Sequence, residues 1–76
     1  MHVKLLTKPG CHLCDDVKTE LAALAADYPH TLEEVNIADS IYLFEKYHLT
    51  IPVVQIGDVE LQAPISQEQL IAALSR

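Results

Sequence analysis

The junction at Pro9-Gly10 constrains this chain more than any other feature, because an alternating apolar run ends there and a helix-periodic one begins. Proline fixes φ and lacks a backbone donor, and glycine tolerates conformations other residues avoid, so the strand stops and the chain turns. A helix starting at about Cys11 then carries both cysteines of the protein, Cys11 and Cys14, in its first turn. The Cys11 side chain would sit beside unpaired backbone N–H groups and the positive end of the helix dipole, which favour a thiolate over a thiol. Cys14, one turn on, would lie on the same side and near enough to close a disulfide. The stretch reads as a dithiol redox site.

Two other uses of the pair stay open at this level. Free cysteines often pack in cores as small hydrophobes. The spacing also suits a metal hairpin, with His2, His12, His30 and His48 elsewhere in the chain. A structural zinc site, however, wants four ligands, usually from two such hairpins, and no second cysteine pair exists. An iron–sulfur cluster bridging two chains is the other metal arrangement.

At 76 residues, half of them apolar, the chain reads as a single domain over 1–76, near the lower size limit for folding without staples. No run is long and apolar enough to span a membrane, and the opening His2 to Thr7 alternates like a strand and lacks a signal peptide's cleavage pattern. The expected address is the cytoplasm, where paired cysteines are more often catalytic or metal-binding than structural. Eleven acidic residues against five basic ones give a net charge of −6, and Lys4, Lys8, Lys18, Lys46 and Arg76 are scattered. Nucleic acid and anionic membrane are therefore poor partners, and the charge serves solubility.

His2 to Thr7 places Val3 and Leu5 on one face and Leu6 on the other, which predicts a central strand partly covered on both sides. Val17, Leu21 and Leu24 recur at spacings of three and four, predicting a helix that stops at Tyr28-Pro29. His30 to Ile37 reads as a second strand. Asp39 or Ser40 caps a short helix through Tyr47 whose Ile41, Phe44 and Leu43 face the core. Ile51 to Ile56 is a β-branched strand with proline confined to its start, since proline cannot donate to a ladder. Gly57-Asp58 turns it into Val59 to Gln62 as a hairpin. Ala63-Pro64-Ile65 breaks that strand, and Ser66 with Gln69 forms a capping box for a last helix burying Leu70, Ile71 and Leu74. The order βαβαββα predicts an α/β fold, a four-stranded mixed sheet with helices on both faces.

This element order, the Cys-x-x-Cys opening the first helix and Thr50-Ile51-Pro52 before the third strand together resemble the thioredoxin superfamily, and within it the short glutaredoxin-like proteins. Lys8-Pro9-Gly10-Cys11-His12-Leu13-Cys14 looks especially like the small bacterial members of the glutaredoxin family. The resemblance covers essentially the whole chain and implies a minimal thioredoxin/glutaredoxin-like fold. It implies that Cys11 is the nucleophile and Cys14 the resolving thiol, and that Pro52 is a cis proline across from the dithiol. The backbone of Ile51, beside Thr50, would offer strand-like hydrogen-bonding groups to a substrate peptide or to glutathione. Lys8 matches a lysine that in glutaredoxins lies near the thiolate and contacts a glutathione carboxylate.

Two departures from the pattern matter. His12 and Leu13 stand where glutaredoxins commonly carry Pro-Tyr, and Leu61-Gln62-Ala63-Pro64-Ile65-Ser66 stands where a glycine pair and an acidic residue would bind the glutamyl end of glutathione. Ser66 and the free N–H groups of its helix are the only local substitute for that cradle. His12 is a candidate proton shuttle or thiolate partner, or else an exposed residue whose cation the dipole disfavours. Leu13 offers an apolar contact beside the thiol that suits a protein or peptide substrate, or simply packs.

The resemblance thus implies a thiol–disulfide oxidoreductase that reduces protein or low-molecular-weight disulfides. It would hold no resident cofactor and draw electrons from glutathione or a thioredoxin-reductase-type enzyme, and a monomer is expected. The alternatives are a redox-inert thioredoxin-like module that recruits a protein through an edge strand or the Pro52 groove, and a metal or iron–sulfur site on the cysteine pair.

Overall fold

Strand β1, His2–Thr7, lies at the centre of the molecule because its alternation gives it two apolar faces: Val3 and Leu5 are buried on one and Leu6 on the other. A computed structural model describes residues 1–75. In chain order β1 is followed by α1 (His12–Leu24), β2 (Thr31–Asn36), a single 3-10 turn (Ile37–Asp39), α2 (Ile41–Tyr47), β3 (Val53–Ile56), β4 (Val59–Gln62) and α3 (Gln67–Leu74). The four strands form one sheet in the order β2-β1-β3-β4. β1 and β2 are parallel, with Leu6 opposite Val35, while β1–β3 and β3–β4 are antiparallel, with Leu6 opposite Val53 and Val53 opposite Gln62.

Each face of the sheet has its own core. Val3, Leu5, Val54 and Ile56 pack under α1 (Val17, Leu21, Leu24) and α3 (Leu70, Ala73, Leu74). Leu6 and Val53 pack on the other face with Ile37 and Tyr47. Helices therefore cover both sides, and Leu5, Leu21 and Leu70, fully buried, each contribute about 2–3 kcal/mol of apolar burial. The hairpin forms as the sequence implies, Gly57 taking the first central position at φ 59° that disfavours a side chain. The capping box is complete: Ser66 Oγ accepts from Gln69 N at 3.1 Å and Gln69 Oε1 accepts from Ser66 N at 2.8 Å, a cap of about 1 kcal/mol.

The structure departs from the sequence reading at element ends and on α2. α1 finishes at Leu24, its last buried residue, and 25–27 form turns. Ala25 and Ala26 have little to bury there, and Asp27 would meet the negative end of the dipole. β2 runs only from Thr31 to Asn36, because the Asn36 side chain accepts from Ala38 N at 2.9 Å and starts the 3-10 turn at Ile37. On α2 the buried residue is Tyr47, with Leu43 half-buried, whereas Ile41 is 82% and Phe44 40% exposed. Leu43 and Tyr47 are four apart and share a face, and the Tyr47 hydroxyl reaches a polar partner, donating to Glu60 Oε1 at 3.2 Å. Phe44 instead stacks on His48 with ring centroids 5.0 Å apart. On α3, Ile71 is only half-buried and Ala73 takes the core position. No helix among the described residues is long and apolar enough to cross a membrane.

Candidate functional site

The turn that delivers the cysteines is built as its residue types require. Cys11 N donates to Lys8 O at 3.3 Å, closing a four-residue turn with Pro9 second and Gly10 third at φ 82°. That is the type II arrangement, in which proline supplies the fixed φ and only glycine readily accepts the positive one. Cys11 then stands outside α1 as its N-cap, with extended backbone, and its sulfur accepts the Cys14 N–H at 3.2 Å. Serine or aspartate usually fills this role; here a sulfur occupies the one place where backbone donors lack partners.

Cys11 and Cys14 are joined by a disulfide, their Cα atoms 5.3 Å apart, so the structure is of the oxidised form. The two sulfur-bearing residues differ in access. Cys11 is partly exposed, while Cys14 is 1% exposed. Lys8, His12 and Leu13 around them are all exposed. Asp15 and Asp16 follow in α1, also exposed, and oppose the field that the helix end supplies.

Topology brings the Pro52 segment to the same end of the sheet. β1 ends there and β3 begins there, since Leu6 pairs with Val53, so Lys8–Cys14 and Thr50–Pro52 leave the sheet side by side. The Ile51–Pro52 peptide is cis and the Pro52 side chain is fully buried. β3 starts at Val53 rather than at Ile51 because the preceding residues are folded into a turn on Tyr47. The Tyr47 carbonyl accepts Thr50 N at 2.9 Å, Ile51 N at 3.0 Å and Thr50 Oγ1 at 3.2 Å. The Ile51 N–H, expected to be open for a substrate backbone, is therefore engaged internally. Thr50 is likewise fully used, its carbonyl accepting Ala63 N at 3.3 Å. Ala63 N also donates to Pro52 O at 3.1 Å, tying the end of β4 to the proline.

Two residues that sequence reasoning did not place at the site thus support it. Tyr47 carried a weak signal, an aromatic residue four positions after Leu43; the backbone clamp of Ala63 carried none. At the head of α3 the capping box takes the N–H groups of Ser66 and Gln69 and the Ser66 hydroxyl, so fewer donors face an incoming carboxylate there than the bare helix end the sequence implied. Among the described residues no three His, Cys, Asp or Glu side chains gather as a metal site.

The shifted acid–base groups lie on α2 and the hairpin rather than at the cysteines. The Glu60 carboxyl is held below the usual carboxylate range by the Gln55 amide, which donates to Oε1 at 2.9 Å, against an opposing effect of partial burial; Tyr47 adds to the lowering. Hydrogen bonding to Tyr42, with Tyr47 adding to it, raises the Lys46 ammonium; its nitrogen lies 5.7 Å and 5.3 Å from the two ring centroids. An open cleft of about 640 Å³ lies at the opposite end of the sheet, lined by residues that include Met1, Lys4, Ile56 and Gly57, and contains no residue of the dithiol segment.

Comparison with known proteins agrees with this geometry. The family model for a glutaredoxin-like domain (DUF836) matches residues 2–75. A structural-genomics target protein from X. campestris is 31% identical in its X-ray structure, with 96% of this chain and 95% of that one covered at a TM-score of 0.77. Thioredoxin 1 from the thermophilic eubacterium Thermosipho africanus shares the fold at 16% identity, covering 100% of this chain and 92% of its own, with a TM-score of 0.76. A malarial protein does so at 20% identity, 97% and 92% coverage and a TM-score of 0.68. No curated protein matches the chain. With the family model spanning nearly every residue and the X. campestris structure related over its whole length, the chain belongs to the glutaredoxin-like domain family, on a thioredoxin-like fold with a Cys-x-x-Cys pair at the head of its first helix.

Proposed function

We propose that the protein is a dithiol–disulfide oxidoreductase in which Cys11 is the nucleophile and Cys14 the resolving thiol. The observation that carries this reading is the asymmetry of the pair: the Cys11 sulfur is partly exposed and accepts a helix N-terminal N–H, while Cys14 is buried beside it within disulfide reach. In the reduced protein the Cys11 thiolate attacks one sulfur of a substrate disulfide, forming a Cys11–substrate bond and expelling the other sulfur as a thiolate. The Cys14 thiolate then attacks Cys11 Sγ, forming the bond seen in the structure and expelling the second substrate sulfur. Two electrons pass from the dithiol to the substrate, and the two protons lost by the cysteines end on the two product thiols.

Pro52 closes the side of the site opposite the dithiol, and the Ile51 carbonyl, without a hydrogen bond among the described residues, is the acceptor it offers to a substrate backbone. Lys8, His12 and Leu13 frame the approach to Cys11. The cycle is completed by glutathione or by a thioredoxin-reductase-type enzyme, in a reducing compartment such as the cytoplasm. Reduced protein mixed with hydroxyethyl disulfide tests the reading: two protein thiols are expected to disappear and two small thiols to appear for each disulfide consumed. No consumption would leave the redox-inert binding module as the better account, and consumption without closure of the Cys11–Cys14 bond would contradict the resolving role given to Cys14.

A further inference from the structure

We infer that the dithiol end of the fold is a docking surface for a cationic polypeptide whose disulfide is flanked by apolar residues, an inference that rests on the exchange reading above and names the substrate class for it. The described residues include six large exposed apolar side chains: Met1, Leu13, Ile41, Tyr42, Phe44 and Leu49. All but Met1 fall in two short segments, the first turn of α1 and the stretch from α2 to Pro52. Leu13 is 62% exposed, Tyr42 68% and Leu49 86%. β2 ends and β3 begins at the sheet end that carries Cys11, so the chain between them leaves and returns there. A seven-residue α2 is only about 10 Å long, and Thr50 and Ile51, bonded back to its Tyr47 carbonyl, lead from it to Pro52. Surface apolar residues are usually scattered; concentrated in the two segments that run to and from the sheet end of an accessible sulfur, they mark a contact surface.

Charge identifies the occupant. Asp15 and Asp16 on α1, Asp39 before α2 and Glu45 on it are exposed, and none forms an ion pair among the described residues. Of the basic residues, Lys18 is paired with Glu34 at 3.2 Å, while Lys46, held over Tyr42 and Tyr47, keeps its charge beside Glu45 and only partly offsets these four acids. Lys8 is left as the one exposed lysine in the dithiol segment. With a chain charge of −6, the approach to Cys11 repels anions and draws cations. Glutathione disulfide is an anion, and at the helix end that could hold its carboxylate the N–H groups of Ser66 and Gln69 are already paired with each other's side chains. A polypeptide with lysine or arginine around a leucine-flanked disulfide meets both the field and the apolar rim.

The test compares initial rates of reduction by the reduced protein for two peptides with the same leucine-flanked disulfide, one bearing outer lysines and one outer glutamates. Each rate is divided by that of the same peptide with dithiothreitol, which removes differences in intrinsic reactivity; hydroxyethyl disulfide is the uncharged reference and glutathione disulfide the anionic one. The lysine peptide is expected to react at least about 10-fold faster than the glutamate peptide at low salt, within the range of electrostatic steering. The ratio should fall to within about 3-fold at roughly 0.5 M salt, where charges a few ångströms apart are screened. Ile41→Ser and Leu49→Ser are expected to lower the lysine-peptide rate relative to hydroxyethyl disulfide by about 3–10-fold, as loss of an apolar contact would. Equal normalised rates for the two peptides, or glutathione disulfide outrunning the lysine peptide, overturn the inference while normal reduction of hydroxyethyl disulfide leaves the exchange reading intact. No reduction of any disulfide overturns both.

Discussion

Replacing Cys11 with serine is expected to abolish disulfide reduction, by at least about 10³-fold, while replacing Cys14 with serine leaves the first half of the reaction and traps it. The reason is positional. Only Cys11 is at once exposed and at the helix cap, so a serine there presents a hydroxyl too weakly acidic to act as the nucleophile, and losses of this size follow removal of a nucleophile. In Cys14→Ser the Cys11 thiolate still attacks, but nothing stands behind it to release the product, so a protein–substrate mixed disulfide accumulates. Intact-mass measurement after mixing with hydroxyethyl disulfide checks this: one adduct on Cys14→Ser, none on Cys11→Ser. Adducts on both variants would mean that the two sulfurs are interchangeable, against the burial difference seen here.

The largest stability effect is expected at Leu21→Ala. Leu21 is fully buried, and its side chain belongs to the cluster that joins α1 to Leu5, Val54 and Leu70. A leucine truncated in such a place costs about 2–5 kcal/mol, from lost transfer energy and the cavity left behind. A chain of this length has only about 4–11 kcal/mol in total, so the variant loses between roughly a fifth and all of it. For a loss of ~3 kcal/mol the midpoint of thermal unfolding should fall by about 12–24 °C. Leu49→Ala, on a side chain almost wholly in water, should change stability by no more than about 0.5 kcal/mol. Calorimetry or circular dichroism of the two variants separates them, and equal midpoints would contradict the packing described.

What the sequence made legible is what its residue types determine locally. Pro9-Gly10 called for a turn between the first strand and α1, Gly57-Asp58 for a two-residue hairpin, and Ser66 with Gln69 for a cap; the structure shows all three. The fold class followed from these, because turns that fixed the element order left few ways to arrange four strands. α2 was misread because seven residues contain barely two turns, too few for Ile41–Phe44 and Leu43–Tyr47 to be told apart by period. The support of the Pro52 segment was illegible for another reason. Its bonds join the backbone of Thr50 and Ile51 to the Tyr47 carbonyl, and of Ala63 to the Thr50 and Pro52 carbonyls, and backbone groups carry no residue identity. The same fact altered the site: the Ile51 N–H is taken by the Tyr47 carbonyl, and its own carbonyl is left without a hydrogen bond among the described residues.

In the proposed exchange the amino end of α1 keeps the Cys11 sulfur ionised in the reduced protein, against the opposing field of Asp15 and Asp16. The N–H of Cys14 touches the sulfur directly, whereas the two carboxylates stand in solvent and are screened. The rate of iodoacetamide alkylation of Cys11 as a function of pH, in the reduced Cys14→Ser variant, measures the ionisation itself. A half-point at least about one pH unit below the ordinary thiol value of about 8.5 is the expected result, and a half-point at or above that value would contradict the account.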